Sequence, residues 1–204
     1  MPVYKPVTKQ GINTFEKIVE TAKVLFSETG YKSTSINKII EEAKIATGTF
    51  YIYFKDKISL YEYILNNYQT KIRNHINDAV ARVDSRYEKE REGLKAFIMF
   101  AAQDRLAYNI IWESLFVEKK LFVDYYESFS EKYVKGLARS LKNDEIRDVD
   151  LETLSYILMG IANFVGLQIM FKRKNDSDPI DEKSIDAIVD SVMDILANGM
   201  FKKK

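Results

Sequence analysis

The chain has no cysteine and only one histidine, His75, among its 204 residues. The absence of cysteine excludes disulfides, thiol catalysis and cysteine-ligated metal sites. A single histidine also excludes a histidine-rich metal site and a pair of catalytic histidines. Because no acid–base pair, nucleophile arrangement or phosphate-binding loop stands out either, we expect no enzymatic activity, no metal and no cofactor.

Glycine and proline are scarce as well, with 8 and 3 copies. These residues interrupt regular structure, so their scarcity predicts long helices and disfavours β-rich folds with many turns. Hydrophobic residues make up 46% and charged residues 30% of the chain, a balance typical of a globular protein with a sizeable core.

Secretory signals need an apolar core region, and residues 1–10 lack one. The longest apolar stretch, residues 154–171, contains Ser155, Asn163 and Gln168, and its length is marginal for a membrane span. We interpret this stretch as a helix that is buried on two sides, with membrane contact as the alternative. The expected location is the cytoplasm, with no membrane partner.

The net charge of +1 gives little indication of a nucleic-acid partner, but the charges are unevenly distributed. Residues 1–57 contain nine lysines and six acidic residues, a net charge of +3, and the rest of the chain carries −2. This mild asymmetry indicates that the N-terminal segment is the part suited to an anionic partner.

Helical periodicity near the N-terminus predicts one long helix followed by two short ones. Residues 1–12 are expected to form a loose arm that carries Lys5 and Lys9. We predict helices at Thr14–Thr29, Ser35–Ala43 and Thr47–Phe54, with Asn13 and Thr34 as the N-caps of the first two and Gly30 ending the first. A long fourth helix should begin near Asp56, which can cap it, and run to about Val83.

The rest of the chain shows the same periodicity, so the predicted fold class is all-α. A crowded run of charges at Asp84–Gly93 marks a shift in composition, and Asn175–Pro179 is predicted to be a loop. The predicted helices are Leu94–Tyr108, Ile110–Phe116, Lys119–Lys142, Leu151–Lys172 and Glu182–Phe201.

The segment Thr14–Lys57 resembles the DNA-binding domain of the TetR family of transcription regulators. The resemblance lies in Ala22, Leu25-Phe26, Gly30-Tyr31, Thr34-Ser35-Ile36, Ile39, Ala43 and the run Gly48-Thr49-Phe50-Tyr51-Ile52-Tyr53-Phe54-Lys55-Asp56-Lys57. It implies an N-terminal three-helix helix-turn-helix domain at 1–57, followed by a helical ligand-binding and dimerisation domain at 58–204.

The family resemblance implies that Thr34, Tyr51 and Lys57 contact phosphates and that Thr47, Gly48 and Thr49 meet base edges. Ser35, Lys44 and Ile52 complete the predicted DNA-binding set. Independently of the family, Phe50, Tyr53 and Phe54 are placed to face inward, whereas Thr47, Thr49, Tyr51 and Ile52 face outward. The alternative is that Thr34 only caps its helix and that Tyr51 only packs.

Three positions depart from the family pattern: Lys44 replaces the usual turn glycine, Ala46 the usual helix cap, and Ile52 a frequent histidine. The third helix also contains no arginine or lysine, so the common bidentate guanine contact is missing from it. We therefore predict an A·T-rich operator core that is read partly through thymine methyl groups, unless Lys44 is the reader.

The last two predicted helices are candidates for a homodimer interface, because Ile185, Ile188, Val189, Val192, Met193 and Leu196 have heptad-like spacing. The alternative is that this stripe is ordinary intrachain core. Aromatic residues with a few polar ones indicate a pocket for a small apolar or aromatic ligand. The candidate lining residues are Phe100, Tyr108, Trp112, Phe116, Tyr126, Met159 and Asn163.

These features predict a TetR-type regulator, a repressor that binds a palindromic operator as a homodimer and is released by a small ligand. The mechanism implied by the resemblance is a tilt of the fourth helix that changes the separation of the two recognition helices. The alternative is a DNA-binding regulator without a small-molecule inducer, controlled by a protein partner.

Overall fold

The structure is a computed structural model, and it describes residue 4, residues 6–172 and residues 181–201. Over these ranges the chain forms α-helices and no strand. The helices are α1 (Lys9–Thr29), α2 (Ile36–Glu42), α3 (Thr47–Tyr53), α4 (Lys57–Val80), α5 (Arg86–Gln103), α6 (Arg105–Val117), α7 (Lys119–Lys142), α8 (Leu151–Lys172) and α9 (Glu182–Asn198). The predicted all-α class is therefore confirmed.

Helix α1 begins five residues earlier than predicted. The Thr8 hydroxyl accepts a hydrogen bond from the Gly11 N–H at 3.1 Å and caps the helix, so the prediction that Asn13 is the cap was wrong. Residues 9–12 are consequently helical rather than part of a loose arm, whereas Lys5 lies outside the described residues. Gly30 ends the helix as predicted, with a φ of 81° that favours glycine.

The caps of α2 and α3 differ from each other. Ser35, rather than the predicted Thr34, caps α2 by accepting a hydrogen bond from the Lys38 N–H at 3.1 Å. Helix α3 has Ala46 at its N-cap and no side-chain cap, as the sequence predicted. Lys44, between the two helices and in place of the family's usual turn glycine, has a left-handed φ of 49°, which costs energy for residues other than glycine.

Helices α4 and α5 both begin with reciprocal caps. Asp56 Oδ1 accepts from the Ser59 N–H at 2.9 Å, and the Asp56 N–H donates to the Ser59 hydroxyl at 3.2 Å. Ser85 and Glu88 form a capping box at the start of α5. The charged run after Asp84 is therefore the first part of a helix, so the predicted start at Leu94 was about two turns late.

The chain divides into two compact units. The first unit comprises Met1–Thr70 and Leu106–Tyr126, and the second comprises Lys71–Arg105 and Glu127–Lys204. The functional boundary predicted at residue 57 falls within the first unit and stays a prediction.

Helix α5 is the centre of the second unit, where it packs against both α8 and α9. Ile185, Val189 and Met193 of α9 are buried against Ile98 and Ile169, so this half of the predicted stripe is intrachain core. Helix α9 ends at Asn198 rather than Phe201. The loop predicted at 175–179 lies outside the described residues.

Helix α8 is long and apolar enough to cross a membrane by length and composition, and only 33% of its most apolar stretch is buried. Within the single chain one side of α8 is exposed, with Ile157, Phe164 and Phe171 on the surface, so burial on two sides stays a prediction that depends on a partner.

Candidate nucleic-acid interface

The inner face of α3 is anchored in the first unit as predicted. Phe50 and Phe54 are 0% and 1% exposed. The Phe15 ring of α1 stacks on Phe54 at 5.2 Å between centroids. The Tyr53 hydroxyl donates to the Gly11 carbonyl at 3.4 Å. These contacts fix α3 on one side and leave its other side to solvent.

The outer face of α3 carries the predicted base-contacting residues. Thr47 and Gly48 are exposed, and Thr49 is half-buried. Tyr51 and Ile52 are 54% and 58% exposed, although large apolar side chains usually gain stability from burial. A seven-residue helix that exposes both is better suited to contact a partner than to stabilise the isolated chain.

Gly48 has no packing reason to be glycine. A Cβ atom added there would meet nothing within 4 Å, so the chain itself leaves this part of α3 open. Glycine at an exposed position of a recognition helix permits close approach of a DNA backbone or base edge.

Two further predicted positions, Ser35 and Lys44, are exposed on either side of α2. Ser35 already accepts the capping hydrogen bond, but its hydroxyl keeps the capacity to donate. The left-handed backbone of Lys44 lies only three residues before α3, so its ammonium is the nearest positive charge in sequence to the predicted base contacts.

Thr34 is not on the surface. It is 0% exposed, and its hydroxyl donates to the Gly30 carbonyl at 2.8 Å. The predicted phosphate contact of this side chain therefore does not fit the structure, which uses Thr34 to close the turn between α1 and α2. Local sequence could not show this, because a threonine before a helix has the same pattern as an N-cap.

Lys57 is also engaged within the chain. Its Nζ donates to the Tyr31 and Thr34 carbonyls at 2.6 and 2.7 Å and lies 4.1 Å from the centre of the Tyr31 ring. Burial lowers the pKa of this ammonium, and the nearby Glu113 carboxylate opposes that effect. In this structure Lys57 holds the α1–α2 turn rather than presenting its charge to solvent.

Sequence reasoning missed two residues of α6 that contact the same region. Glu113 Oε1 accepts from the Tyr31 N–H at 2.6 Å, and Asn109 Nδ2 donates to the Ser27 hydroxyl at 2.8 Å. Each pair is separated by 82 residues, so no local pattern could have revealed it.

Three of the predicted ligand residues come together in the first unit. The ring centroids of Trp112 and Phe122 are 6.1 Å apart, and those of Phe122 and Tyr126 are 4.8 Å apart. Tyr126 lies near enough to Tyr108 to raise the pKa of that hydroxyl further, beyond the larger effect of burial. Burial raises the pKa of Tyr126 to about 12.

Of the other four predicted ligand residues, Phe116 belongs to the same unit, and Phe100, Met159 and Asn163 belong to the second unit. Phe116 is 76% exposed. Phe100 packs near His75 in the second unit, at 6.1 Å between ring centroids. Asn163 donates to the Met159 carbonyl one turn away at 2.7 Å, a contact within α8 itself. In the described part of the chain, no group of three or more His, Cys, Asp or Glu residues could hold a metal ion.

The comparisons with known proteins agree with this geometry. Residues 18–64 match the model of the bacterial regulatory proteins of the tetR family. The HTH-type transcriptional regulator SAB2452 of Staphylococcus aureus is 30% identical over 134 residues, which cover 59% of this chain and 70% of that protein. The chain belongs to the TetR family.

A second relative is more similar, but over a shorter part of the chain. The HTH-type transcriptional regulator YuxN of Bacillus subtilis is 44% identical over 68 residues, which cover 33% of this chain but only 23% of that protein. The TetR-family members bind DNA and small ligands, typically form dimers, and are not enzymes.

The whole fold is shared with solved structures. FadR of Bacillus subtilis, solved in complex with stearoyl-CoA, superposes with a TM-score of 0.72 at 18% identity and covers 92% of this chain and 100% of its own. This likeness shows the fold. The family match and the sequence relatives show that the chain is a transcriptional regulator, with an N-terminal helix-turn-helix and a helical C-terminal region.

Proposed function

We propose that this TetR-family regulator is a cytoplasmic homodimeric repressor that binds a palindromic operator through α3 and is released by a small apolar or aromatic ligand. The observation that carries the proposal is the division of α3 into a buried aromatic face and an exposed face. Thr47, Gly48, Tyr51 and Ile52 form the exposed face.

The chemistry of that face supports an A·T-rich operator core. Thr47, Thr49 and Ile52 offer methyl groups for thymine, and the threonine hydroxyls can bond to base edges. Tyr51 is also exposed on α3, and its hydroxyl can donate a hydrogen bond to a DNA phosphate. Ser35 and Lys44 lie before α3 in the sequence. Lys44 carries the positive charge that a bidentate guanine contact needs, so it is our candidate for such a contact.

Dimerisation is supported by the apolar faces left exposed on the last two helices. Ile157, Phe164 and Phe171 of α8 are each seven residues apart and therefore share one helix face. Ile195 and Leu196 of α9 are also exposed. Pairing these helices across a two-fold axis would form a four-helix bundle and bury them. A two-fold dimer also matches a palindromic DNA site.

The ligand is supported by the cluster of Tyr108, Trp112, Phe122 and Tyr126, whose rings offer an apolar wall with hydroxyl groups. A structural neighbour was solved with stearoyl-CoA, so a fatty-acyl chain is the first ligand class to test. Trp112 is the only tryptophan in the chain, and its fluorescence reports on this cluster directly.

Selection from a random DNA pool at fixed, moderate salt tests the DNA-binding part of the proposal. Three proteins are compared: wild type, Thr47→Ala/Tyr51→Ala, and the control Thr70→Ala/Tyr87→Ala, which changes the same residue types at exposed positions outside α3. Wild type and control should enrich one A·T-rich palindrome, and the α3 variant should not. Enrichment of the same palindrome by the α3 variant would contradict the assignment of α3.

The selected duplex then serves as the probe for ligands. We expect an acyl-CoA or an aromatic acid to release the protein from the duplex and to change the Trp112 emission in the same concentration range. Release without any change in emission would place the ligand away from the aromatic cluster. If no compound releases the duplex, control by a protein partner becomes the better explanation.

A further inference from the structure

The turn between α1 and α2 determines how the helix-turn-helix is held. Residues 30–35 connect the long α1 to α2, and α2 packs on α1 and α3 in turn. A change in this turn therefore changes the direction of α2 and, through it, of the proposed recognition helix.

Two charged side chains from outside the three-helix motif hold this turn. Lys57 of α4 donates to the carbonyls of Tyr31 and Thr34, and Glu113 of α6 accepts from the Tyr31 N–H at 2.6 Å. The two ends of the Tyr31 peptide backbone are thus bonded to opposite charges. Hydrogen bonds to charged groups are stronger than those between neutral groups.

Helix α6 makes two more polar contacts in the same unit. Asn109 Nδ2 donates to the Ser27 hydroxyl at the end of α1, and the buried Tyr61 hydroxyl of α4 donates to the Ile110 carbonyl at 2.5 Å. A Cβ atom at Gly30 would lie 3.0 Å from Glu113 Oε1, which shows how closely the turn approaches α6.

We infer that Glu113 and Asn109 are positioning residues for DNA recognition, because they bind the α1–α2 turn and the end of α1 although neither lies in the helix-turn-helix. The inference rests on the proposed function.

The test measures affinity for the labelled duplex that wild-type protein enriches, together with thermal melting of each variant. Glu113→Ala removes the acceptor of the Tyr31 N–H and should weaken binding about tenfold. Glu113→Gln keeps an oxygen acceptor at the same position and should restore affinity to within about threefold of wild type. The matched control is Glu28→Gln, which removes an exposed charge from the last turn of α1 and should leave affinity unchanged.

Asn109→Ala provides a variant whose folding is not in question, because Asn109 is exposed. It should weaken binding about threefold without lowering the melting temperature. Affinity of both alanine variants within about twofold of wild type would overturn the inference and leave the proposed function intact. Loss of affinity that Glu113→Gln does not restore would also overturn it. If wild type enriches no duplex, the proposed function fails and the inference fails with it.

Discussion

Lys44 combines a strained backbone, which lowers stability, with an exposed positive charge beside the proposed recognition helix. Its backbone is left-handed, a conformation that costs roughly 1–2 kcal/mol for a residue with a Cβ atom. The family resemblance places a turn glycine at this position, and the structure gives Lys44 the left-handed φ that glycine would adopt without strain. We therefore expect the charge of Lys44, beside the proposed recognition helix, to contribute to DNA binding.

Replacing Lys44 by glycine should separate these two effects. Lys44→Gly should raise the free energy of unfolding by about 0.5–1 kcal/mol, because relief of the left-handed strain exceeds the added entropy of the unfolded chain. The same variant should bind the operator more weakly, because it loses an exposed positive charge. Urea denaturation and DNA titration measure the two quantities.

Lys44→Ala is the control for this prediction, since it removes the charge but keeps the strain. It should weaken DNA binding as much as glycine does and gain no stability. If both variants bind DNA like wild type, Lys44 is not a DNA contact.

Tyr126 makes the stability of the protein sensitive to alkaline pH. Burial raises its pKa to about 12, above the usual value of 10.0. Above pH 10 the unfolded chain loses this proton while the folded chain keeps it, so the free energy of unfolding should fall between about pH 10 and 12. The fall from this residue is on the order of 2 kcal/mol.

Urea denaturation at pH 8 to about 12 measures this decline. Tyr126→Phe should make the decline shallower, whereas Tyr51→Phe, at an exposed position, should not. Tyr61, Tyr108 and Tyr133 have pKa values raised by burial too, so some decline should remain in Tyr126→Phe. An unchanged pH profile in Tyr126→Phe would contradict the assignment.

At the scale of helices, periodicity predicted some elements fully and others only in part. The bounds of α7 and α8 match the prediction. In each helix the apolar periodicity runs without interruption from the first residue to the last, and the preceding residues do not follow it. The start of α5 was missed because its first turns are charged and carry no apolar stripe. Its capping box, Ser85 with Glu88, was the signal that could have found it.

The polar contacts of the turn could not be predicted in the same way. Thr34 and Lys57 were identified as important, but the family resemblance implied phosphate contacts for them, whereas the structure shows both bound within the turn. Glu113 was not identified at all, because its partner Tyr31 lies 82 residues away. Pairings of this kind depend on tertiary packing, which leaves no periodic trace in the sequence.

A partly buried charged cluster joins α5 to α7 and gives a test of stability at this scale. Glu90 binds Arg86 through the guanidinium and also accepts from the Tyr133 hydroxyl, while the Arg86 group lies 5.3 Å from the Tyr133 ring centre. Tyr133→Phe should lower the free energy of unfolding by about 1–2 kcal/mol, because one hydrogen bond to a charged group is lost.

Glu90→Ala should lower the free energy of unfolding by more than Tyr133→Phe does, on the order of 2–3 kcal/mol, since it leaves the partly buried Arg86 guanidinium without its carboxylate. Chemical denaturation at neutral pH measures both variants, with Tyr87→Phe as the control at a neighbouring exposed position. Equal losses in Tyr133→Phe and Tyr87→Phe would mean that the hydroxyl of Tyr133 contributes nothing.

For the whole molecule, the proposed dimer explains why α8 is apolar and yet mostly unburied in the single chain. Phe164→Arg places a charge in the proposed interface and should convert the dimer to monomer, as measured by sedimentation at micromolar concentration. Phe116→Arg is the matched control, because Phe116 is even more exposed, at 76% against 66%, but lies on α6. The control should stay dimeric.

The Phe164→Arg monomer should keep its fold yet bind the full palindrome far more weakly, because the two half-sites are no longer bound together. A dimeric Phe164→Arg protein would place the interface elsewhere.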